Sequence, residues 1–268
     1  MTRAAPVSQW KGLAAADTGA RAVQAALLAA RGIGGPRGII EGPKGFDEAL
    51  GKHLEADWTD RSLAHAGRSV IKRHNAEVHS QTTIEATLRL RPRIRDVTDI
   101  ERVHVAVFRT AYDIIGGGAF GAKEVPATKE DADHNLRYLV ATALLDGEVS
   151  PRQFLPAALA RPEVHALLQR VTVNHDRSKT LRYPECMPAQ VTLHLRNGLQ
   201  YTEKQEDYME LTYPAWETVE RKFRVLSDGR AHPDLLDEIV NAIRDLPSLR
   251  VVQLTEILGR IRPLSEGR

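Results

Sequence analysis

The sequence feature that most restricts the fold is a hairpin signal in the second half of the chain. Asn197-Gly198 separates the runs Ala189 to Leu195 and Leu199 to Glu206. An Asn-Gly pair between two such runs is the strongest short-range signal for a β-hairpin. Upstream, Ile100 to Thr110 alternates valines with polar or small residues, which predicts a half-buried strand. The middle of the chain is therefore expected to contain a β-sheet.

Helical patterns lie on both sides of these strands. Trp10 to Arg31 carries alanines and glycines at steps of three and four, which predicts a helix with a stripe of small residues. Three further helices are expected near the C-terminus, at 216–225, 233–246 and 249–261. Helices segregated from strands indicate an α+β fold, with an α+β unit inserted between helical parts.

Composition excludes several function classes. The chain has 42% hydrophobic and 27% charged residues, which is typical of a globular protein. With a net charge of +2, 5% aromatics and no basic block, nucleic-acid binding is not expected. The apolar run at 22–30 is too short for a membrane span, and no targeting segment is visible. The single cysteine, Cys186, excludes a disulfide framework, so we expect a cytoplasmic protein. Cys186 has no cation among its immediate sequence neighbours.

One polar segment, IKRHNAEVHSQ (Ile71 to Gln81), is the candidate site. Its histidines His74 and His79 are five residues apart, which does not match the HExxH zinc motif, and zinc would need a third ligand. We therefore expect no metal. Two interpretations stay open on spacing alone, a solvated polar loop and an acid/base site for an anionic substrate.

In the acid/base interpretation each residue type has a role. His79 titrates near neutrality and can move protons, while Glu77 orients it or shares its proton. Lys72 can hold a carboxylate, and Gln81 can donate a hydrogen bond to a substrate oxygen. Lys11 stands at the start of the first helix, where a cation opposes the macrodipole and favours a nearby anion.

A resemblance to a known family sharpens this choice. The segment KRHNAEVHSQTTIEA resembles a motif of the MmgE/PrpD family. Further segments resemble the family in the same order along the chain: KGLAAADTGARAVQAALLAARGIGGP, EGPKGF, KEDADHNLRYLVATALLDGEVS, the RPEV run and YPAWETVERKF. Together they cover nearly the whole chain.

The resemblance implies a two-domain enzyme without metal or organic cofactor that acts on small polycarboxylates. Family activities include dehydration of 2-methylcitrate, decarboxylation of cis-aconitate and epimerisation of an imino-diacid. The implied site lies between a mostly helical domain and a smaller α+β lid domain. It implies Lys72, Glu77 and His79 as catalytic residues.

For substrate binding the resemblance implies Lys11, Gln81 and Tyr138. Asp133 and His134 are expected to be structural, although His134 can approach the site. We divide the chain into a partial helical domain (1–70), the lid (71–208) and helices that return to the helical domain (209–268).

The leading hypothesis is a lyase of the 2-methylcitrate dehydratase type, in propionate and 2-methylcitrate metabolism. Alternatives are a cis-aconitate decarboxylase, an epimerase of the same family, or a non-catalytic fragment or subunit. Family members are much longer at the N-terminal side, so we expect either a fragment or a partner chain that supplies the remaining helices. A homodimer is also expected from the resemblance.

Overall fold

The computed structural model describes residues 6–55, 57, 59, 62, 71–121, 125–207 and 215–262. The chain divides into two compact units, residues 8–69 and residues 70–268, and Val7 belongs to the second. The boundary predicted between 208 and 209 lies outside the described residues, so the assignment of the last helices to a helical domain stays a prediction.

The first unit is built around one long helix. Helix α1 spans Trp10–Ala30, which confirms the helix predicted there, and none of its residues is buried. Arg31 caps the helix, and Gly32 follows with a φ of 85°, in the left-handed region that favours glycine. A short helix α2, Phe46–Leu50, is capped directly by a left-handed glycine, Gly51, with a φ of 65°.

The second unit contains the predicted sheet. The strands are β1 (Ile100–Val107), β2 (Val171–His175), β3 (Ala189–Leu195) and β4 (Gln200–Gln205). Their spatial order is β2-β1-β3-β4, with β1 parallel to β2 and the other neighbours antiparallel. In β1, Val105 lies opposite Val173 of β2 and Val191 of β3.

The hairpin signal is confirmed, with a different turn geometry from that of the commonest Asn-Gly hairpin. A type I′ turn needs positive φ at both central residues, whereas only Gly198, at 84°, adopts it here. Leu195 N–H donates to the carbonyl of Leu199, and Gly198 N–H donates to that of Leu195. The loop therefore keeps three residues, and glycine occupies its left-handed position.

Helices pack on the sheet and form the core with it. Before and between the strands the helices are α3 (Gln81–Leu90), α4 (Arg109–Ile115), α5 (Lys129–Ala132), α6 (Leu136–Asp146), α7 (Pro156–Leu159), α8 (Pro162–Leu168) and α9 (Arg177–Thr180). Helix α3 packs on β3, β4 and α6, while α6 also packs on β2 and α8. The valines of β1 at positions 103, 105 and 107 are buried in this core.

The capping pattern at Thr128 and the apolar residues that follow it predict one helix up to Gly147. That prediction is wrong, because the segment forms two helices, α5 and α6. Thr128 caps α5 by accepting a hydrogen bond from Asp131 N–H, as its capping pattern predicts. The break follows because Asn135 adopts an extended backbone and accepts the N–H of Tyr138, which starts a second helix.

The chain ends in three helices, close to the predicted ranges: α10 (Trp216–Ser227), α11 (Pro233–Arg244) and α12 (Val251–Gly259). Pro233 begins α11, where its missing N–H costs nothing. Among the described residues, no helix combines the length and apolarity that crossing a bilayer requires.

Candidate active site

The polar segment that starts at Ile71 turns into a short 3₁₀ helix, Val78–Ser80, which leads directly into α3. Glu77 caps this turn: its Oε2 accepts the backbone N–H of His79 at 2.6 Å. Its Oε1 lies 2.9 Å from Nδ1 of the same histidine, a close ionic contact rather than a well-aligned hydrogen bond. The carboxylate thus contacts His79 at two places.

Both side chains of this pair are nearly buried, at 9% exposure for Glu77 and 7% for His79. Burial favours the neutral acid, but the hydrogen bonds and charge of His79, with the charge of His134, outweigh burial and lower the pKa of Glu77. The carboxylate is therefore ionised near neutral pH and can form an ion pair with the protonated imidazole ring of His79.

Two aromatic rings fix the plane of the His79 imidazole. Phe108 meets it edge-on with ring centres 5.5 Å apart, and Tyr183 does so at 5.9 Å. Phe108 and Tyr183 stack on each other at 4.7 Å. Since Phe108 directly follows β1, the histidine lies at the carboxyl end of that strand.

A second histidine–carboxylate pair lies beside the first. Nδ1 of His134 contacts Oδ1 of Asp133, and Oδ2 of Asp133 accepts from Nζ of Lys129 at 2.5 Å. The backbone N–H of Glu77 donates to the carbonyl of Asp133 at 3.1 Å, which joins the two pairs. Burial opposes ionisation of Asp133, but His134 and Lys129 lower its pKa.

Lys72 is exposed, and its Nζ donates to the carbonyl of Ala76 at 2.7 Å. Its own carbonyl accepts a hydrogen bond from Nζ of Lys222 on α10. Burial and the charge of Lys72 lower the pKa of Lys222. Two cations therefore lie close together at the start of the polar segment, an arrangement that an anion would stabilise.

Gln81 is fully buried and organises the segment before it. Its Oε1 accepts the N–H of His74 at 2.9 Å, and its Nε2 makes longer contacts of 3.3–3.4 Å to the carbonyls of His74, Ala76 and Glu77. These contacts hold the loop in shape. Direct substrate binding by Gln81 stays a prediction.

Tyr138 lies in the core of the second unit, with its ring fully buried. Its hydroxyl donates to the carbonyl of Gln153 at 2.5 Å, and burial raises its pKa to about 12. This contact stabilises the turn that follows α6. A substrate role for Tyr138, which also stays a prediction, requires this hydrogen bond to be exchanged.

The remaining candidates are placed as follows. Lys11 lies in the first turn of α1, in the first unit, and its role in the site stays a prediction.

The two histidines of the polar segment have different partners, because His74 contacts Glu85 at 2.8 Å rather than His79. No group of three or more His, Cys, Asp or Glu side chains is positioned to bind a metal within the described ranges.

The tertiary structure gives Cys186 a cationic neighbour that its flanking residues lack. The Arg182 guanidinium lies against the thiol and also pairs with Glu206, and both contacts raise the pKa of Arg182. The turn of chain from Arg182 to Cys186 brings them together.

A surface cavity of about 310 Å³ lies next to the polar segment. The polar segment, the turn after α6 and helix α10 line it. Its charged lining residues are Arg73, Glu148, Arg221 and Lys222. Lys72, Glu77 and His79 do not line this cavity, so it is separate from the histidine–carboxylate pairs.

Comparison with known proteins identifies relatives of this chain. Residues 74–246 match the MmgE/PrpD C-terminal domain, and residues 1–59 match the MmgE/PrpD N-terminal domain. The 2-methylcitrate dehydratase of Escherichia coli K12 is 26% identical over 265 residues, which cover 94% of this chain and 51% of that protein.

Two other relatives cover less of this chain. The 2-methylcitrate dehydratase of Cupriavidus necator is 28% identical over 180 residues, 65% of this chain and 36% of that protein. The cis-aconitate decarboxylase of Mus musculus is 22% identical over 130 residues, 46% of this chain and 26% of that protein. The chain spans about half the length of the E. coli dehydratase and a smaller share of the other two relatives. Because the C-terminal domain model alone matches more than half of it, the chain belongs to the MmgE/PrpD family.

Proposed function

We propose that this chain is a lyase of the 2-methylcitrate dehydratase type, acting on small polycarboxylates in propionate and 2-methylcitrate metabolism. Relatives named 2-methylcitrate dehydratase support the proposal, the E. coli protein across 94% of this chain. The observation that carries it is the buried Glu77–His79 pair, since a titratable imidazole held by a carboxylate is suited to proton transfer.

In the proposed dehydration, His79 removes a proton from the carbon next to a substrate carboxylate. The electrons of that C–H bond form the C=C bond, and the C–O bond to the neighbouring hydroxyl breaks. The hydroxyl leaves as water after it receives a proton, which the His79–Glu77 pair can return. Glu77 stabilises the imidazolium formed between the two steps.

The substrate is an anion, so it needs cations at the site. Lys72 is exposed and lies close to Lys222, and together they can hold a carboxylate. We propose Lys11 as a further anchor from the helical unit. The reaction as written uses only side chains of the protein, and we propose that it needs no metal or organic cofactor.

The test is turnover of a polycarboxylate panel that includes 2-methylcitrate, citrate and cis-aconitate, followed by ¹H NMR. We expect loss of water from 2-methylcitrate in the wild type, and a rate at least about 100-fold lower in His79→Ala, the usual range for a general acid–base residue. Lys72→Ala is expected to raise KM, because it removes a carboxylate anchor. Dialysis against a chelator is expected to leave the rate unchanged.

The matched controls are His104→Ala on β1 and Lys204→Ala on β4, which keep the polar segment intact. Wild-type rates for both His79→Ala and Lys72→Ala would contradict the site. The absence of turnover in the wild type would favour the non-catalytic subunit instead. Sedimentation of the chain tests the proposed homodimer, and restored turnover on adding a candidate partner tests the proposed second chain.

Decarboxylation of cis-aconitate is the second candidate. Its support is the similarity to the mouse cis-aconitate decarboxylase over 130 residues. The same panel separates the two reactions because decarboxylation releases CO₂ and dehydration releases water. A rate on cis-aconitate that exceeds the rate on 2-methylcitrate would favour this second reaction.

A further inference from the structure

The surface cavity of about 310 Å³ is separate from the histidine–carboxylate pairs of the proposed reaction. Its volume lies at the small end of the range for ligand pockets, so it suits a small molecule. The lining residues all belong to the second unit of the chain. They come from the polar segment, helix α3, the turn after α6 and helix α10.

Helix α10 supplies one wall of this cavity through residues that share a helix face. These residues recur at steps of three and four positions, which places them side by side along the helix. They are Thr218, Arg221, Lys222, Val225 and Leu226. The wall therefore carries two adjacent cations, with a hydroxyl one turn before them and two apolar side chains one turn after them.

The two cations of the wall lack a carboxylate partner among the described residues. The Arg221 guanidinium is exposed and pairs with no group there, whereas Arg224 on the same helix pairs with Glu220 at 2.8 Å. Nζ of Lys222 donates to the carbonyl of Lys72, which leaves its charge uncompensated. Burial and the charge of Lys72 lower the pKa of Lys222. An anion in the cavity would compensate both charges of the wall.

The polar segment and the turn after α6 add one further cation and one carboxylate to the lining. Arg73 pairs with Glu85 through one N–H at 3.1 Å, which uses only part of a guanidinium with five donors. Glu148 accepts a hydrogen bond from the Ser150 hydroxyl at 3.2 Å. Over the described residues, three cations thus stand against one carboxylate, a balance that favours an anionic ligand.

Apolar side chains line another part of the cavity. They are Leu88 of α3, Val149 after α6, and Val225 and Leu226 of α10. Val225 and Leu226 are 49% and 37% exposed, so an apolar group in the cavity would remove part of their surface from water. The ligand that fits best therefore has a charged end and a short apolar chain.

We propose that this cavity binds a small carboxylate with a short apolar chain. Its carboxylate lies at Arg221 and Lys222, and its chain lies on the apolar lining. The inference goes beyond the proposed function, because the Glu77–His79 pair does not line the cavity. Since Lys222 is also part of the proposed substrate anchor, Arg221 is the residue that tests this site.

The experiment is a titration of the ¹⁵N-labelled full chain with sodium hexanoate, followed by ¹H–¹⁵N NMR. We expect saturable shifts at the amides of residues 73–75, 147–150 and 218–226, and no comparable shift at His79. Hexylamine has the same chain with the opposite charge, and sodium phosphate is an anion without the chain. We expect both to bind at least about tenfold more weakly than hexanoate.

Arg221→Gln is expected to weaken hexanoate binding by about tenfold, the loss typical of one hydrogen bond to a charged group. Arg230→Gln is the matched control, because it removes the charge of another exposed arginine that does not line the cavity. It should leave the Kd within about twofold of the wild type. Val225→Asp places a carboxylate against the apolar chain and should abolish the saturable shifts.

The absence of saturable shifts with hexanoate, or equally tight binding of hexylamine or phosphate, would overturn the proposal. An unchanged Kd in folded Arg221→Gln would overturn it as well, and so would shifts centred on His79. If Arg221→Gln does not fold, the Val225→Asp titration decides, since undiminished binding there contradicts the site. None of these readouts needs turnover, so the outcome does not depend on the dehydratase assay.

Discussion

Glu77 holds His79 through both of its carboxylate oxygens, one on the backbone N–H at 2.6 Å and one 2.9 Å from the ring. This double contact turns a short polar turn into an oriented acid/base pair. It arises because Glu77 occupies the cap position of a 3₁₀ turn whose second residue is the histidine.

Replacement of Glu77 by glutamine should weaken the fold in a pH-dependent way. The pKa of Glu77 is lower in the folded chain than its ordinary value of 4.5. Its stabilising contribution is therefore present above pH 4.5 and is lost as the pH falls through the folded pKa. We expect Glu77→Gln to reduce the free energy of unfolding by about 2 kcal/mol at pH 7.

Urea unfolding at several pH values tests this expectation. The difference between Glu77→Gln and wild type should shrink as the pH falls below 4.5. Glu217→Gln, an exposed change in the first turn of α10, is the control and should have no such pH dependence. A constant difference at all pH values would show that the charge of Glu77 does not contribute.

Gln81→Ala should destabilise the polar segment from within. The change removes the acceptor for His74 N–H and the donor shared by three carbonyls. We expect a loss of about 1–3 kcal/mol in urea unfolding, because buried polar groups would be left unpaired. Gln200→Ala, exposed on β4, should change stability by less than about 0.5 kcal/mol. Equal effects at both positions would argue against an organising role for Gln81.

Tyr138→Phe separates a structural role from a substrate role. The variant keeps the buried ring and removes only the hydroxyl that donates to Gln153. We expect a loss of about 1–2 kcal/mol in the free energy of unfolding, since a buried carbonyl loses its partner. An increase in KM without loss of stability would instead support Tyr138 as a substrate ligand. Tyr201→Phe, on β4, is the control.

Gly198→Ala tests the hairpin turn. Gly198 has a φ of 84°, and a methyl group there would meet no atom within 4 Å, so only the backbone conformation is penalised. We expect a loss of about 1–2 kcal/mol in thermal or urea unfolding. Gly34→Ala, in a loop with open space and no positive φ, should be nearly neutral. A neutral result for Gly198→Ala would show that the turn relaxes to another geometry.

Local sequence signals were sufficient for most elements of this protein. The Asn197-Gly198 pair placed the hairpin, alternating valines placed β1, and Pro233 marked the start of α11. Each of these signals acts through the conformation of a few neighbouring residues, so it can be read without knowing the rest of the fold. Asn135 is the counterexample, because its capping of α6 outweighed a continuous helical pattern.

The sequence by itself determined the α+β class, the family and the residues Lys72, Glu77 and His79 as one polar segment. Only the tertiary structure decided what surrounds them. It brought Asp133 and His134 to Glu77, closed Phe108 and Tyr183 around His79, and placed the Tyr138 hydroxyl on a carbonyl of the core. These contacts join residues far apart in the chain, and packing of the helices and strands of the second unit, rather than any local pattern, sets their distances.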